Sequence, residues 1–202
     1  MRLYILRHGQ TDLNSEKRFQ GRMQTELNDV GIAQAEKVAS ILSDKNIKFD
    51  KIYSSPLERA IRTGEIATGI SRDKFVIDDN LTEIDFGINE GRKYDEIYGE
   101  RCNIFLSPEK YLPPEGGESL EALRFRTECF LERVCYEDNE DNILAVSHGT
   151  AIHMMLLYMR GQEINDLWTE HVGNCNVTVV DIEECELKIR DDLQIATDRY
   201  IR

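Results

Sequence analysis

Two histidines sit in the same sequence setting. "YILRHGQTDLN" (residues 4–14) ends an apolar run in Arg7-His8-Gly9, and "AVSHGT" (145–150) ends another in His148-Gly149. With 4 His and 13 Gly among 202 residues, chance supplies well under one His-Gly pair, so two at the ends of apolar runs suggest a shared use. A short apolar run bounded by Gly and polar residues favours a buried strand. Parallel strands end on one edge of a sheet, and in open α/β sheets that edge binds ligands. His8 and His148 are therefore expected to face one pocket. A third run, "DKIYSSPLERAIRT" (50–63), reads as a strand at 50–54 followed by a helix with Ser55 as N-cap and Pro56 at its first position. Arg59 then lies near a helix N-terminus, where free N–H groups and the helix dipole attract anions. Arg7 and Arg59 can each fork onto a pair of phosphoryl oxygens. If His8 attacks phosphorus, the leaving alkoxide needs a proton donor. "LTEIDFG" (81–87) offers Glu83 ahead of Asp85, with Glu90 close behind, although a carboxylate here suits a turn cap equally well.

The elements that must position these residues alternate in type. Residues 2–7 read as a first strand, and residues 8–28 as a polar loop containing "FQG" at 19–21. Asn28 or Asp29 caps a helix to about Asp44, with Ala35, Val38, Ala39 and Leu42 forming one apolar stripe. "FVID" (75–78) is a further short strand, and residues 80–100 have no clear period. "SPEKYLPPEGGES" (107–119) holds three of the four prolines and reads as a loop at the border of an inserted segment. Ser119 caps a long helix to about Cys135, the acidic run at 137–142 reads as a solvated turn, and "NILAVS" is a buried strand leading into a helix to about Tyr158. Residues 175–182 and 185–190 read as two strands around a tight turn. This order predicts an α/β fold: a mostly parallel central sheet with helices on both faces and a small inserted cap at roughly 84–118 of one domain spanning 1–202.

Bulk properties narrow the partners. Thirty-eight acidic against 25 basic residues give a net charge of -13, which argues against nucleic acid or an anionic membrane surface. A small anionic ligand remains compatible if the arginines gather in one place. No apolar stretch reaches membrane-helix length. The first residues already read as a strand, so no signal peptide is expected. The cysteines at 102, 129, 135, 175 and 185 show no metal-ligand spacing and suggest reduced thiols in a cytoplasmic protein.

"LRHGQTDLN", "SSPLERAIRT", "LTEIDFGINEG" and "AVSHGT", in this order, resemble the histidine phosphatase superfamily, also called phosphoglycerate mutase-like, from residue 2 to about 182. The resemblance implies His8 as the nucleophile that becomes phosphohistidine, with Arg7, Arg59 and His148 around the phosphoryl group. It implies Asn14 as a hydrogen-bond donor to that group, Gln20 and Gly21 beside the substrate, and Glu83 as acid and then base. It implies no metal and no cofactor, consistent with a loose phosphoryl-transfer transition state that needs positioning and positive charge. Gly149 and Thr150, opening the helix after His148, are further candidates for substrate contact through backbone N–H groups. Gln10 and Leu13 stand where many members have Glu and Trp. The chain length and "PPEGGES" resemble the phosphatase branch, which includes broad-specificity, α-ribazole and sugar-phosphate phosphatases.

The expected function is therefore metal-independent hydrolysis of a small phosphorylated metabolite, α-ribazole phosphatase-like or broad in specificity. Two alternatives stand beside it. A cofactor-dependent phosphoglycerate mutase would return the phosphoryl group to substrate. A non-catalytic phosphate-ligand-binding protein would lack the nucleophile or the acid, and both are present here. His153 and His171 read as structural, Arg62 as structural or supporting, and Asp85 as a supporting neighbour of Glu83. Glu118 and Ser119 read first as a helix cap. Oligomeric state is not legible, a homodimer being left open.

Overall fold

The computed structural model describes residues 1–97 and 104–197. Its centre is a six-stranded sheet: β1 (Arg2–Arg7), β2 (Lys51–Ser54), β3 (Val76–Ile77), β4 (Asn142–Ser147), β5 (Val177–Glu183) and β6 (Glu186–Ile189), in the order β3-β2-β4-β1-β5-β6. The first four are mutually parallel, while β5 and β6 extend the sheet antiparallel beyond β1. Cys102 lies outside the described residues.

Strand periodicity divides the core. Successive β1 side chains point to opposite faces, so Leu3 and Ile5 join one cluster and Tyr4 and Leu6 the other. On the first face lie α4 (Leu120–Glu137) and α5 (Gly149–Arg160), contributing Phe130, Leu131, Ile152 and Met155. On the second lie α2 (Asp29–Asp44) and α3 (Glu58–Thr68), contributing Ala35, Val38, Leu42, Ala60 and Ala67. Of the expected α2 stripe, Ala39 alone is only half-buried. Asn28 caps α2, its side chain accepting the Gly31 N–H at 2.9 Å, and Ser119 caps α4 through the Ala122 N–H. Between β3 and α4 the described chain forms short 3₁₀ turns at Asp79–Leu81, Gly87–Asn89, Tyr94–Ile97 and Pro108–Lys110. The apolar residues of this stretch, Ile84, Phe86, Ile97 and Ile104 among them, build a third cluster with Phe19 and with Ala151, Met154 and Leu157 of α5.

Three local expectations are corrected. The 8–28 loop contains a one-turn helix, α1 (Asp12–Ser15), closed by a reciprocal Thr11–Asn14 capping box. The helix after β2 starts at Glu58 rather than at Pro56, with Leu57 as its N-cap; the Ser55 oxygen accepts only the Leu57 N–H ahead of it, at 3.3 Å, and has a second partner shown below. The acidic run at 137–142 is not wholly solvated. Asp138 is buried, pairs with Lys51 and accepts the Tyr53 hydroxyl at 2.9 Å, because β2 begins beneath the end of α4.

Candidate active site

Register brings the two His-Gly motifs level. Arg7 of β1 pairs with Ser147 of β4, and Ser54 of β2 with Val146, so His8, His148 and Ser55 follow their strands side by side. The His8 N–H donates to the Ser147 carbonyl at 3.0 Å, and the two imidazole centroids stand 5.1 Å apart. Both rings are buried.

The His8 backbone is clamped from three sides. The Gly9 N–H donates to Thr63 Oγ1 at 3.0 Å, and the His8 carbonyl accepts Asn174 Nδ2 at 3.0 Å. A Cβ on Gly9 would lie 2.6 Å from the Gly31 carbonyl oxygen, so glycine lets this turn rest on the start of α2. His8 Nδ1 donates to the Gly9 carbonyl at 2.7 Å, which assigns the neutral tautomer with its lone pair on Nε2. Burial, then Arg59, then Arg7 hold this imidazole well below its usual 6.5, so it is unprotonated at neutral pH.

Arg59, near the start of α3, is fully buried. Its Nη1 donates to the Met23 carbonyl at 2.7 Å and to Thr25 Oγ1 at 3.2 Å, and Nη2 to the Gly21 carbonyl at 2.7 Å. Nη1 is thereby saturated. The Nε–H, which has no hydrogen-bond partner among the described residues, and one Nη2 proton remain, and these are parallel donors of one fork. Burial brings the Arg59 pKa down to about 10, still cationic at neutral pH. Arg7 Nη1 donates to the Val172 carbonyl at 2.5 Å. Gly149 packs against the same guanidinium, and a Cβ there would meet its central carbon at 3.4 Å, an ordinary van der Waals contact.

Glu83 approaches from the opposite wall. Its Oε2 accepts the Thr150 N–H and its Oε1 the Ala151 N–H, each at 3.1 Å, with the Ile84 N–H adding to Oε1. The first-turn donors of α5 therefore hold this carboxylate, which corrects the expectation that the Thr150 backbone N–H would face the ligand. The structure brings Glu83 to the cavity and not its rivals. Asp85 accepts the Gly87 N–H and faces Arg22, while the Glu90 carboxylate accepts the N–H groups of Arg22 and Phe86. Glu118 forks with Arg126, whose guanidinium also donates to the Thr82 and Glu83 carbonyls.

Arg7, His8, Asn14, Gln20, Gly21, Arg59, Glu83, Gly149 and Thr150 line one cavity. Asn14 Oδ1 is occupied by the Thr11 N–H and Asn174 Nδ2, and Gln20 Oε1 by the Thr11 and Thr25 hydroxyls, so each side chain keeps its NH₂ for another acceptor. His148 stands behind His8 rather than in the lining. Its Nε2 lies 2.7 Å from Ser55 Oγ, and its buried Nδ1 has no partner among the described residues. Burial, then the charges of Arg59 and neighbouring groups, keeps it well below 6.5.

Several participants were missed in the sequence. His153, read as structural, lines the cavity with Nδ1 2.7 Å from the Gly149 carbonyl, and Tyr94, Phe105 and Trp168 complete an aromatic wall. Only its spacing of four from Gly149, which places it one turn along the same helix face, could have hinted at His153. Ser55, Thr63 and Asn174 carry no local signal, because their partners lie far away in sequence.

The chain matches the histidine phosphatase superfamily (branch 1) over residues 3–191. It is 34% identical over 194 residues to a broad-specificity phosphatase of Saccharomyces cerevisiae, covering 90% of this chain and 79% of that one. It is 27% identical to the adenosylcobalamin/alpha-ribazole phosphatase of Escherichia coli, with 91% of each covered. A phosphoserine phosphatase from Entamoeba histolytica, solved in complex with 3-phosphoglyceric acid, superposes with a TM-score of 0.81 at 29% identity, covering 93% of this chain and 94% of that one. On the extent of that match, the chain belongs to the histidine phosphatase superfamily, branch 1, and is a phosphatase of that family.

Proposed function

We propose that this protein hydrolyses small phosphate monoesters without a metal, through a phosphohistidine at His8. One observation carries the reading: the His8 Nδ1 bond to the Gly9 carbonyl leaves a neutral Nε2 lone pair in a cavity that two guanidinium groups share. His8 Nε2 attacks phosphorus and the P–O bond to the organic group breaks. The free Arg59 fork, Arg7 and the amides of Asn14 and Gln20 hold the non-bridging oxygens, and His148 stiffens the nucleophile from behind. Glu83 donates its proton to the leaving oxygen. It then takes a proton from water, which attacks the phosphohistidine, releases inorganic phosphate and returns His8 to its neutral form. The charge of Arg7 and Arg59 supports a metal-free transition state.

The named activities of the relatives support a small phosphorylated metabolite as the substrate, with a specificity that is broad or α-ribazole phosphatase-like. Among the described residues, no helix is long and apolar enough to cross a membrane. The test is inorganic phosphate release with EDTA present from p-nitrophenyl phosphate, phosphoserine, 3-phosphoglycerate and α-ribazole phosphate, with His8→Ala as control. Release that persists in EDTA and vanishes in the variant is expected, with acid-labile phosphate trapped on the wild type. Conversion of 3-phosphoglycerate to its isomer without phosphate release would overturn it in favour of a mutase.

A further inference from the structure

Two thiols meet at the end of the molecule remote from the cavity. Cys135 lies near the C-terminus of α4, and Cys185 in the turn joining β5 to β6. The Cys185 thiol donates to the Cys135 carbonyl at 3.4 Å, which sets the two side chains beside each other. Both residues are half-buried, so small solutes reach them while packing holds them together.

The turn itself is unusual in composition. Glu183 pairs with Glu186, leaving Glu184 and Cys185 as a two-residue hairpin loop, with φ of 49° and 63°. A two-residue turn with both centres left-handed is ordinarily Asn-Gly or Asp-Gly. Here two residues with longer side chains accept that backbone, and the result holds the Cys185 thiol against α4.

We propose that Cys135 and Cys185 are a redox modification site, joined by a hydroperoxide into a disulfide that clasps α4 to the β5–β6 hairpin. In this order of steps Cys185, carried in the two-residue turn, attacks first as its thiolate, while burial and then Cys185 hold the Cys135 thiol up at about 11 and make it the second sulfur to react. That thiolate attacks the peroxide oxygen and breaks the O–O bond, giving a Cys185 sulfenic acid and one water or alcohol. The Cys135 sulfur then attacks the Cys185 sulfur. The S–S bond forms, the S–O bond breaks, and hydroxide leaves to be protonated by the thiol proton. Two thiols lose two electrons and two protons, and one peroxide is reduced by the same two electrons.

The clasp lies away from catalysis. β5 runs antiparallel to β1, with Asp181 opposite Arg2 and the Ile182 N–H on the Met1 carbonyl, so the hairpin turn sits beside the start of β1. His8 follows the other end of that strand. Activity therefore serves as a control, and the inference does not rest on the phosphatase reading.

The experiment treats the reduced protein with hydrogen peroxide, follows intact mass and maps disulfides by digestion. A loss of about 2 Da is expected, with a Cys135–Cys185 linked peptide and reversal by a thiol reductant. The melting temperature should rise by about 5 °C or more, because the link closes a long loop of the unfolded chain. Cys135→Ser and Cys185→Ser should each abolish the mass loss and the thermal shift while leaving turnover unchanged. Sulfenic or higher acids without a link, or a link between other cysteines, would overturn the proposal.

Discussion

Thr63→Val probes how the nucleophile is held. Thr63 is fully buried on α3; its hydroxyl accepts the Gly9 N–H at 3.0 Å and donates to the Arg59 carbonyl at 2.6 Å. Valine fills the same volume and removes both bonds. The Gly9 N–H is then buried without a partner, which costs about 1–3 kcal/mol. Taking ~2 kcal/mol, a chain of this length should lose about 4–8 °C of melting temperature. The same residue, Gly9, accepts the His8 Nδ1 proton through its carbonyl, so a loosened Gly9 lets the imidazole drift. The Asn174 bond to the His8 carbonyl remains, which limits the drift to a fraction of an ångström and the expected fall in kcat to about tenfold. Thr63→Ser separates the two effects: it keeps the hydroxyl and loses a buried methyl, worth roughly 1 kcal/mol of stability, so kcat should stay within about twofold. Thermal melts and p-nitrophenyl phosphate turnover on the three proteins decide the matter. Equal kcat for Val and wild type, or equal losses for Val and Ser, would refute the clamp.

Glu83→Gln should slow esters with poor leaving groups about a hundredfold or more and p-nitrophenyl phosphate far less; equal slowing of both would remove Glu83 as the acid. Ser55→Ala takes away the Nε2 partner of buried His148 and should lower stability by about 1–3 kcal/mol and kcat several-fold with KM little changed, read from urea melts and initial rates. Burial holds His8, His148 and His153 below 6.5 in the folded state. The unfolded chain therefore binds more protons, and stability that is complete above about pH 6.5 falls as pH drops through it, with a limiting slope of about 4 kcal/mol per pH unit for three groups. Urea midpoints that stay level from pH 7.5 to 5.5 would contradict this.

What was legible in the sequence was what neighbouring residues decide. The runs before His8, Ser55 and His148 specify strands, and the parallel pairing of those strands follows from their burial on both faces. Glycine after each histidine was a visible signal, and at Gly9 its reason is the close approach to the Gly31 backbone. What escaped were choices between distant partners. Ser55 looked like a helix cap because Ser-Pro begins many helices; its oxygen does accept the Leu57 N–H ahead of α3, and the same hydroxyl also meets the buried His148 imidazole, a partner from another strand that no local pattern announces. Asp138 looked solvated inside an acidic run, and only the fold brings Lys51 and Tyr53 to it. The Thr150 N–H was expected to meet the ligand, and the carboxylate of Glu83 arrives there from an element that the sequence left without a period.

That last exchange has a consequence for the site as a whole. A helix N-terminus is a ready anion site, and here the Glu83 carboxyl group, rather than the phosphoryl group, takes its Thr150 and Ala151 N–H groups. With the Thr150 and Ala151 N–H groups taken, the full positive charges at the cavity are those of side chains, and setting half-buried Arg7 and buried Arg59 beside an imidazole has a direct cost: whichever group gives up charge most readily will do so. Arg59, brought down only to about 10, stays charged, while His8, starting from 6.5, does not. The field that would grip a phosphate thus also keeps the nucleophile deprotonated, with its remaining proton fixed on Nδ1 by the Gly9 carbonyl. Replacing Arg59 with a neutral residue would weaken both at once, because the phosphoryl fork and the main charge depressing His8 are the same guanidinium.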